Sequence, residues 1–226
     1  MSDPYAVAKR AAGRAAADLI KNNSVVGLGT GSTVAFVLER IGERVAGGLA
    51  LRGVPTSEDT ASKARKLGVP LTTLDEVDGL DLTIDGADEI DTARNMIKGG
   101  GGALLREKIV AAASSEMVVV VGRNKLVEKL GAFRVPVEIM PFGSRQVIAG
   151  VRRLGGEAVL RRRGDEPYVT DNGHWILDCD FGLIEAPEAL ERDLDAIPGV
   201  VESGLFLGMA GRVFVGDLDG SFELLA

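Results

Sequence analysis

SVVGLGTGSTVAFVL occupies residues 24–38, and its two halves follow different periods. Ser24 to Leu28 is a short apolar run of strand character, whereas Val34, Val37, Leu38 and Ile41 recur at helical spacing and share one face. Between the halves stands Gly27-Leu28-Gly29-Thr30-Gly31-Ser32-Thr33. Glycines let backbone approach an anion, the amides of a helix N-terminus point at it, and the hydroxyls of Thr30, Ser32 and Thr33 add donors. A dinucleotide fingerprint would need a third glycine where Ser32 stands and an acidic residue closing the next strand, which instead ends Leu51-Arg52-Gly53-Val54. The turn therefore fits a phosphate loop for a small substrate better than one for NAD. A tight glycine turn with a serine cap is the plain structural alternative.

Working outward, the same alternation continues. Asp3-Pro4 reads as an N-cap with proline at N1, ahead of an alanine-rich helix to about Ile20. Leu49 to Val54 is a second strand, and Ser57 caps a helix ending at Gly68. Asp81 to Asp85 is a third strand, Ala103 to Ser115 a helix, and Met117 to Val121 a strand apolar throughout. Strands alternating with helices, one of them apolar on both faces, predict a doubly wound, mostly parallel, Rossmann-like α/β sheet.

After Gly131 the order changes to βαββαβ. Its segments are a strand at Phe133 to Ile139, a helix at Ser144 to Leu154, a strand at Glu157 to Arg163, a turn at Asp171-Asn172-Gly173, a strand at His174 to Cys179, a helix at Pro187 to Ile197 and an extended Val200 to Glu202. This is the ferredoxin-like pattern and predicts a small α+β lid domain over 131–204. The strand Val213 to Val215 then rejoins the first sheet, so 1–130 plus 205–226 form the doubly wound domain and the lid is an insertion.

Composition narrows the function classes. The chain has 226 residues, 46% hydrophobic and 26% charged, which are globular values. A single cysteine, Cys179, excludes an internal disulfide and a cysteine metal cluster, and a single histidine, His174, excludes a multi-histidine metal site. Net charge of −7, with eight arginines against thirteen carboxylates in the insertion, argues against nucleic acid and anionic membrane as partners. No apolar run approaches the ~20 residues of a spanning helix, and Met1-Ser2-Asp3-Pro4 opens no signal core, so a cytoplasmic address is expected.

Three further loops carry chemistry. Asp85-Gly86-Ala87-Asp88-Glu89 follows the third strand at the carboxyl edge, where open parallel sheets bind ligands. Three carboxylates within five residues repel one another, a cost that function explains; a solvated acidic turn is the alternative, and Glu89 and Asp91 are assigned to it. Lys98-Gly99-Gly100-Gly101-Gly102 spends about 0.5–1 kcal/mol of ordering free energy per glycine relative to alanine, bringing bare backbone to a ligand and leaving Lys98 to reach it. Glu107, on the following helix, can lean back over that loop, although taken alone it reads as a surface glutamate. Lys125 follows the apolar strand on a fourth carboxyl-end loop. His174 and Cys179 read as structural, and Arg161-Arg162-Arg163 as a solvated strand end.

Taken together, GLGTGST (Gly27–Thr33), DGADEID (Asp85–Asp91), IKGGGGALLREKI (Ile97–Ile109) and NKLV (Asn124–Val127) resemble the A-type ribose-5-phosphate isomerase family, in order and near its spacing, over essentially the whole chain. The resemblance implies an inserted lid on a doubly wound domain and a cofactor-free, metal-free interconversion of ribose 5-phosphate and ribulose 5-phosphate in the pentose phosphate pathway. It implies Glu107 as the base between C2 and C1, Asp85 in ring opening, and Asp88 and Lys98 on the reacting oxygens. Thr30, Gly31, Ser32, Thr33, Gly86, Ala87, Gly99, Gly100, Gly101 and Lys125, with Asp85, Asp88 and Lys98, would line the sugar phosphate. It also implies a homodimer or homotetramer. Proton transfer through a cis-enediolate needs one base and donors at the developing oxyanion; a carboxylate serves if desolvation brings its pKa toward ~6–7. Two other functions stay in view: an amino-sugar phosphate deaminase–isomerase, and a sugar-phosphate sensing domain, which usually carries a helix-turn-helix that the ~20 residues ahead of the first strand are too few to form.

Overall fold

The structure is a computed structural model that describes residues 5–225. The expected Asp3-Pro4 helix start lies outside the described residues. The chain begins α1 (Ala6–Ala17), β1 (Ser24–Leu28), α2 (Ser32–Ala46), β2 (Leu51–Pro55), α3 (Glu58–Lys66) and β3 (Leu82–Asp85). It continues through β4 (Glu89–Ile90), β5 (Met96–Ile97), α4 (Leu104–Ala112), β6 (Met117–Gly122), β7 (Val135–Ile139), α5 (Ser144–Arg153) and β8 (Glu157–Leu160). The last elements are β9 (Arg162–Arg163), β10 (Glu166–Pro167), β11 (Trp175–Asp180), α6 (Pro187–Asp195), β12 (Val200–Ser203), β13 (Leu205–Phe206), β14 (Ala210–Gly216) and β15 (Phe222–Leu225).

Two compact units result. The first takes the described residues up to Ala87, Arg106–Lys125 and those from Met209; the second takes Asp88–Leu105 and Leu126–Gly208. In the first unit a six-stranded sheet has the order β15-β14-β6-β3-β1-β2. Every pairing in it is parallel except that of the edge strand β15. All six residues of β6 are buried, as its unbroken apolar run requires of a central strand covered on both faces. Helix α1 is alanine-rich for a packing reason: Ala8, Ala12 and Ala16 are buried, and a Cβ at Gly13 would stand 3.3 Å from Val37 of α2. The core of this unit gathers Ala12, Ala16, Val26, Leu28, Val37, Leu38, Ile84, Val118 and Val120.

In the second unit β7, β8, β11 and β12 make a four-stranded antiparallel sheet of order β12-β7-β11-β8. With α5 and α6 between strands, this is the βαββαβ arrangement. Its core is Val135, Val137, Ile139, Val147, Val151, Leu177, Cys179 and Leu194.

This division differs from the expected 131–204 insertion, since Asp88–Leu105, Leu126–Leu130 and 205–208 also belong with the second unit. The cause is a three-stranded antiparallel sheet, β13-β5-β4, whose ladder joins segments over a hundred residues apart. Two-residue strands carry no readable period, so this sheet left no trace in the pattern. The expected strand Glu157 to Arg163 is interrupted at Arg161, with β9 turning into a small hairpin with β10.

Candidate active site

Within the first unit's parallel strands the order is β14-β6-β3-β1-β2, so chain direction along the sheet reverses between β1 and β3. Open α/β sheets bind ligands at such a switch point, outside the carboxyl ends of the strands. The glycine loop leaves β1 there and Asp85-Gly86-Ala87 leaves β3 beside it. The two loops are bonded to each other. Gly29 N donates to Ile84 O at 3.0 Å, and Thr30 N donates to Asp85 Oδ1 at 3.1 Å. Gly86 N reaches the same oxygen at 2.8 Å. Asp85 is 0% exposed. A Cβ on Gly29 would lie 2.2 Å from Asp85 Oδ1, so this glycine makes room for the carboxylate rather than for a left-handed turn.

Thr30 is fastened by residues that the sequence reading did not single out as functional. Its hydroxyl donates to Ser57 Oγ (2.9 Å), Ser57 donates to Thr60 Oγ1 (3.0 Å), and Thr60 donates to Gly29 O (2.7 Å). Thr56 Oγ1 lies 2.7 Å from the Thr30 hydroxyl and donates to Leu28 O. The available signal was Pro55-Thr56-Ser57 at the carboxyl end of β2, another loop on the same edge. Ser57 also caps α3 as expected, accepting from Thr60 N at 3.1 Å. Gly31 precedes α2, and Ser32, its first residue, accepts from Lys9 Nζ at 3.0 Å. Thr33 lies near Gly86, its Cβ 3.9 Å from the point a Gly86 Cβ would take.

Glu107 sits in the first turn of α4 and is 3% exposed. Taken alone it read as a surface glutamate; the fold buries it. Its neighbour Arg106 is drawn instead to Glu58 of α3, at 2.9 Å. Lys125 closes a 3-10 turn, Arg123–Lys125, that follows β6. Arg123 anchors that turn by bonding Asp217 Oδ2 (2.7 Å) and Glu223 Oε2 (3.0 Å), and its guanidinium holds the Asp217 carboxyl below the usual carboxylate range.

The chain passes into the second unit between Ala87 and Asp88, so the remaining candidates belong there. Asp88 accepts Gly100 N at 2.7 Å through Oδ2, and its backbone N donates to Ile97 O at 2.8 Å. Lys98 is 2% exposed, its ammonium 5.2 Å from the centre of the Phe206 ring, and its backbone N donates to Gly204 O. Gly99, Gly100 and Gly101 form the loop that leads to α4.

Two expected solvated features are not so. Glu89 is 5% exposed and takes Gly131 N (2.8 Å) and Phe133 N (2.6 Å) on its two oxygens, making it an internal brace of the second unit. Arg161 is drawn inward to Asp178 and the glycine loop. Asp91 caps the β4–β5 turn, accepting from Ala93 N and Asn95 N. His174 contacts buried Glu138 through Nδ1 at 2.9 Å, and Cys179 is a core residue whose thiol burial pushes up to about 12, both in structural positions. Among the described residues, no group of three or more His, Cys, Asp or Glu side chains is arranged to hold a metal, and no helix is long and apolar enough to cross a membrane.

Comparison with known proteins agrees over most of the chain. Residues 52–220 match the family profile described as ribose 5-phosphate isomerase A (phosphoriboisomerase A). A ribose-5-phosphate isomerase A of Gloeobacter violaceus is 51% identical over 221 residues, covering 97% of this chain and 96% of that one. The structure of ribose 5-phosphate isomerase A from Methanocaldococcus jannaschii superposes with a TM-score of 0.91 at 40% identity, over 96% of this chain and 97% of that one. A D-ribose-5-phosphate isomerase in complex with phospho-erythronic acid superposes with a TM-score of 0.92 at 37% identity, over 96% of both chains.

Proposed function

The chain belongs to the ribose 5-phosphate isomerase A family, and from that premise we propose that it interconverts D-ribose 5-phosphate and D-ribulose 5-phosphate by proton transfer. In this reading Glu107 takes the proton from C2 of the open-chain aldose, the C2–H electron pair becomes the C1=C2 double bond, and the carbonyl π pair moves onto O1 to give a cis-enediolate. The same carboxyl returns a proton to C1, while O2 gives up its proton and O1 gains one. The base must move one proton between two adjacent carbons of one face, a task for a single carboxylate in a chain with one histidine.

The observation that carries the reading is the burial of Glu107, a carboxylate 3% exposed in the first turn of α4. A base shielded from bulk water keeps its proton through the enediolate stage. Asp85 is assigned to opening the furanose ring, and Asp88 and Lys98 to the reacting oxygens. Thr30, Gly31, Ser32, Thr33, Gly86, Ala87, Gly99, Gly100, Gly101 and Lys125 are assigned to the rest of the sugar phosphate. The relative that holds phospho-erythronic acid supports this chemistry, because a carboxylate presents two oxygens on a planar carbon much as an enediolate does. The same reading carries work in the non-oxidative pentose phosphate pathway, a cytoplasmic address and a homodimer or homotetramer, the last tested by light scattering of the purified protein.

Proton NMR of the protein with ribose 5-phosphate, in deuterated buffer containing a chelator, tests the function. Ribulose 5-phosphate carrying solvent deuterium is the expected product. Folded protein that binds the sugar phosphate without converting it would sink the isomerase and leave a sensing domain.

A further inference from the structure

Four consecutive glycines have no side chains by which to hold their own peptide planes, so something else must fix the Lys98–Gly102 loop. The second unit supplies it from β8, β9 and β11. Arg161, in the break between β8 and β9, is largely buried and faces Asp178 of β11. Its Nε donates to Asp178 Oδ2 at 3.1 Å and its second terminal nitrogen donates to Oδ1. This two-point clamp leaves the first terminal nitrogen directed at the loop, where it donates to Gly99 O at 2.8 Å and Gly100 O at 3.2 Å. A guanidinium is suited to this because its donors lie in one rigid plane. Gly99 O is also held by Gly102 N at 3.0 Å.

The consequence follows from the peptide unit itself. In a trans peptide the C=O and the N–H point in opposite directions. With the Gly99 carbonyl turned toward Arg161, the Gly100 N–H is turned away from it, onto Asp88 Oδ2 at 2.7 Å. With the Gly100 carbonyl turned the same way, the Gly101 N–H also points away from Arg161. Asp178, Arg161, the Gly99–Gly100 peptide and Asp88 thus form one oriented chain of hydrogen bonds. The Asp88 carboxylate is packed close against the loop, since a Cβ on Gly100 would lie 2.7 Å from its Oδ1.

We propose that Arg161, clamped by Asp178, is a positioning residue for the isomerisation: it sets the peptide planes of the tetraglycine loop and through them the carboxylate of Asp88. The inference rests on the isomerase reading and deepens it by naming what orients its oxygen-binding group. Arg161 touches no reacting atom, so its removal acts on geometry in the transition state more than on substrate capture.

The test is steady-state kinetics of the full chain with ribose 5-phosphate, on wild type, Arg161→Gln, Arg161→Lys and Asp178→Asn. Each is assayed well below its own melting transition and normalised to folded protein by circular dichroism. Since a misplacement of about 1 Å in a reacting geometry costs up to ~100-fold, Arg161→Gln should lose about 10- to 100-fold in kcat with KM within about threefold. Arg161→Lys, which keeps the charge and one carbonyl contact, should recover part of that loss, and Asp178→Asn should fall between Lys and Gln. A kcat per folded molecule within about threefold of wild type in Arg161→Gln would overturn the proposal and leave Arg161 a stabilising residue alone. A defect confined to a rise in KM, with kcat unchanged, would overturn it as well. Failure of the isomerase reading is distinguishable because it would appear in the wild-type protein, which would not turn over at all.

Discussion

Gly29→Ala is the substitution whose cost can be worked most directly from the fold. The new methyl group would stand 2.2 Å from Asp85 Oδ1, 2.3 Å from its Cγ and 2.7 Å from its Cβ, where unstrained contacts begin near 3.4 Å. The carboxylate must retreat by more than about 1 Å in an interior that is already close-packed. It then gives up the amides of Thr30 and Gly86, now at 3.1 and 2.8 Å. Hydrogen bonds to a charged group contribute about 1.5–3 kcal/mol each, so the two together are about 3–6 kcal/mol. Against a total stability of ~5–15 kcal/mol this is a large fraction. At ~2–4 °C per kcal/mol for a chain of this size, the melting transition followed by circular dichroism should fall roughly 6–24 °C. Isomerase activity should fall with it even at low temperature, because Asp85 is displaced. Gly31→Ala is the control: no atom lies within 4 Å of its Cβ position, and its cost is the backbone alone, with φ at +117° and ψ at −177°. That region is nearly glycine-only and costs about 1–3 kcal/mol. If Gly29→Ala melts within ~2 °C of wild type and turns over normally, the argument that Gly29 exists to admit Asp85 is refuted.

Three other outcomes are expected. Glu107→Gln should lower kcat by about 10²–10⁴-fold while sugar-phosphate affinity, measured by calorimetry, stays within a few-fold; equal loss of binding would remove Glu107 from the base role. Glu89→Ala should destabilise the protein by about 3–6 kcal/mol, since two amides, of Gly131 and Phe133, lose a charged acceptor; urea unfolding that shows under ~1 kcal/mol would contradict the brace. Cys179 should be inert to a thiol reagent at pH 8 until the protein unfolds. Burial raises its thiol from 9.0 to about 12, with a smaller push from Asp178, so the folded state is favoured fully below pH 9 and progressively loses that contribution as pH rises toward 12. A titration of stability that is flat across pH 9–12 in wild type and in Cys179→Ala alike would contradict this.

Much of the fold was readable because its signals are local. The switch in period across residues 24–38 gave β1, the glycine loop and α2, and the apolar run Met117–Val121 could only be a strand buried on both faces. Once strands alternate with helices, chain connectivity puts the loops that leave parallel strands on one edge, which is why Thr30–Thr33, Asp85–Ala87 and Lys125 are legible as carboxyl-end loops from the order of elements alone. Helix ends are less legible: α1 stops at Ala17 rather than near Ile20, because the chain there tightens into i→i−3 bonds, Leu19 N to Ala16 O and Ile20 N to Ala17 O, which no residue pattern announces.

What the amino-acid order determined by itself is therefore the alternation of elements, the sheet type and the edge that bears the glycine and carboxylate loops, all consequences of periodicity and chirality within some thirty residues. Only the tertiary structure decided which polar groups leave water. Glu107 and Glu89 have the composition of surface residues, and Arg161 stands in a run of three arginines, yet all three leave water, Glu89 and Arg161 held there by partners distant in the chain. The sheet β13-β5-β4 was likewise settled by pairing across more than a hundred residues. Burial and pairing of this kind are properties of the assembled packing, and no window of sequence contains them.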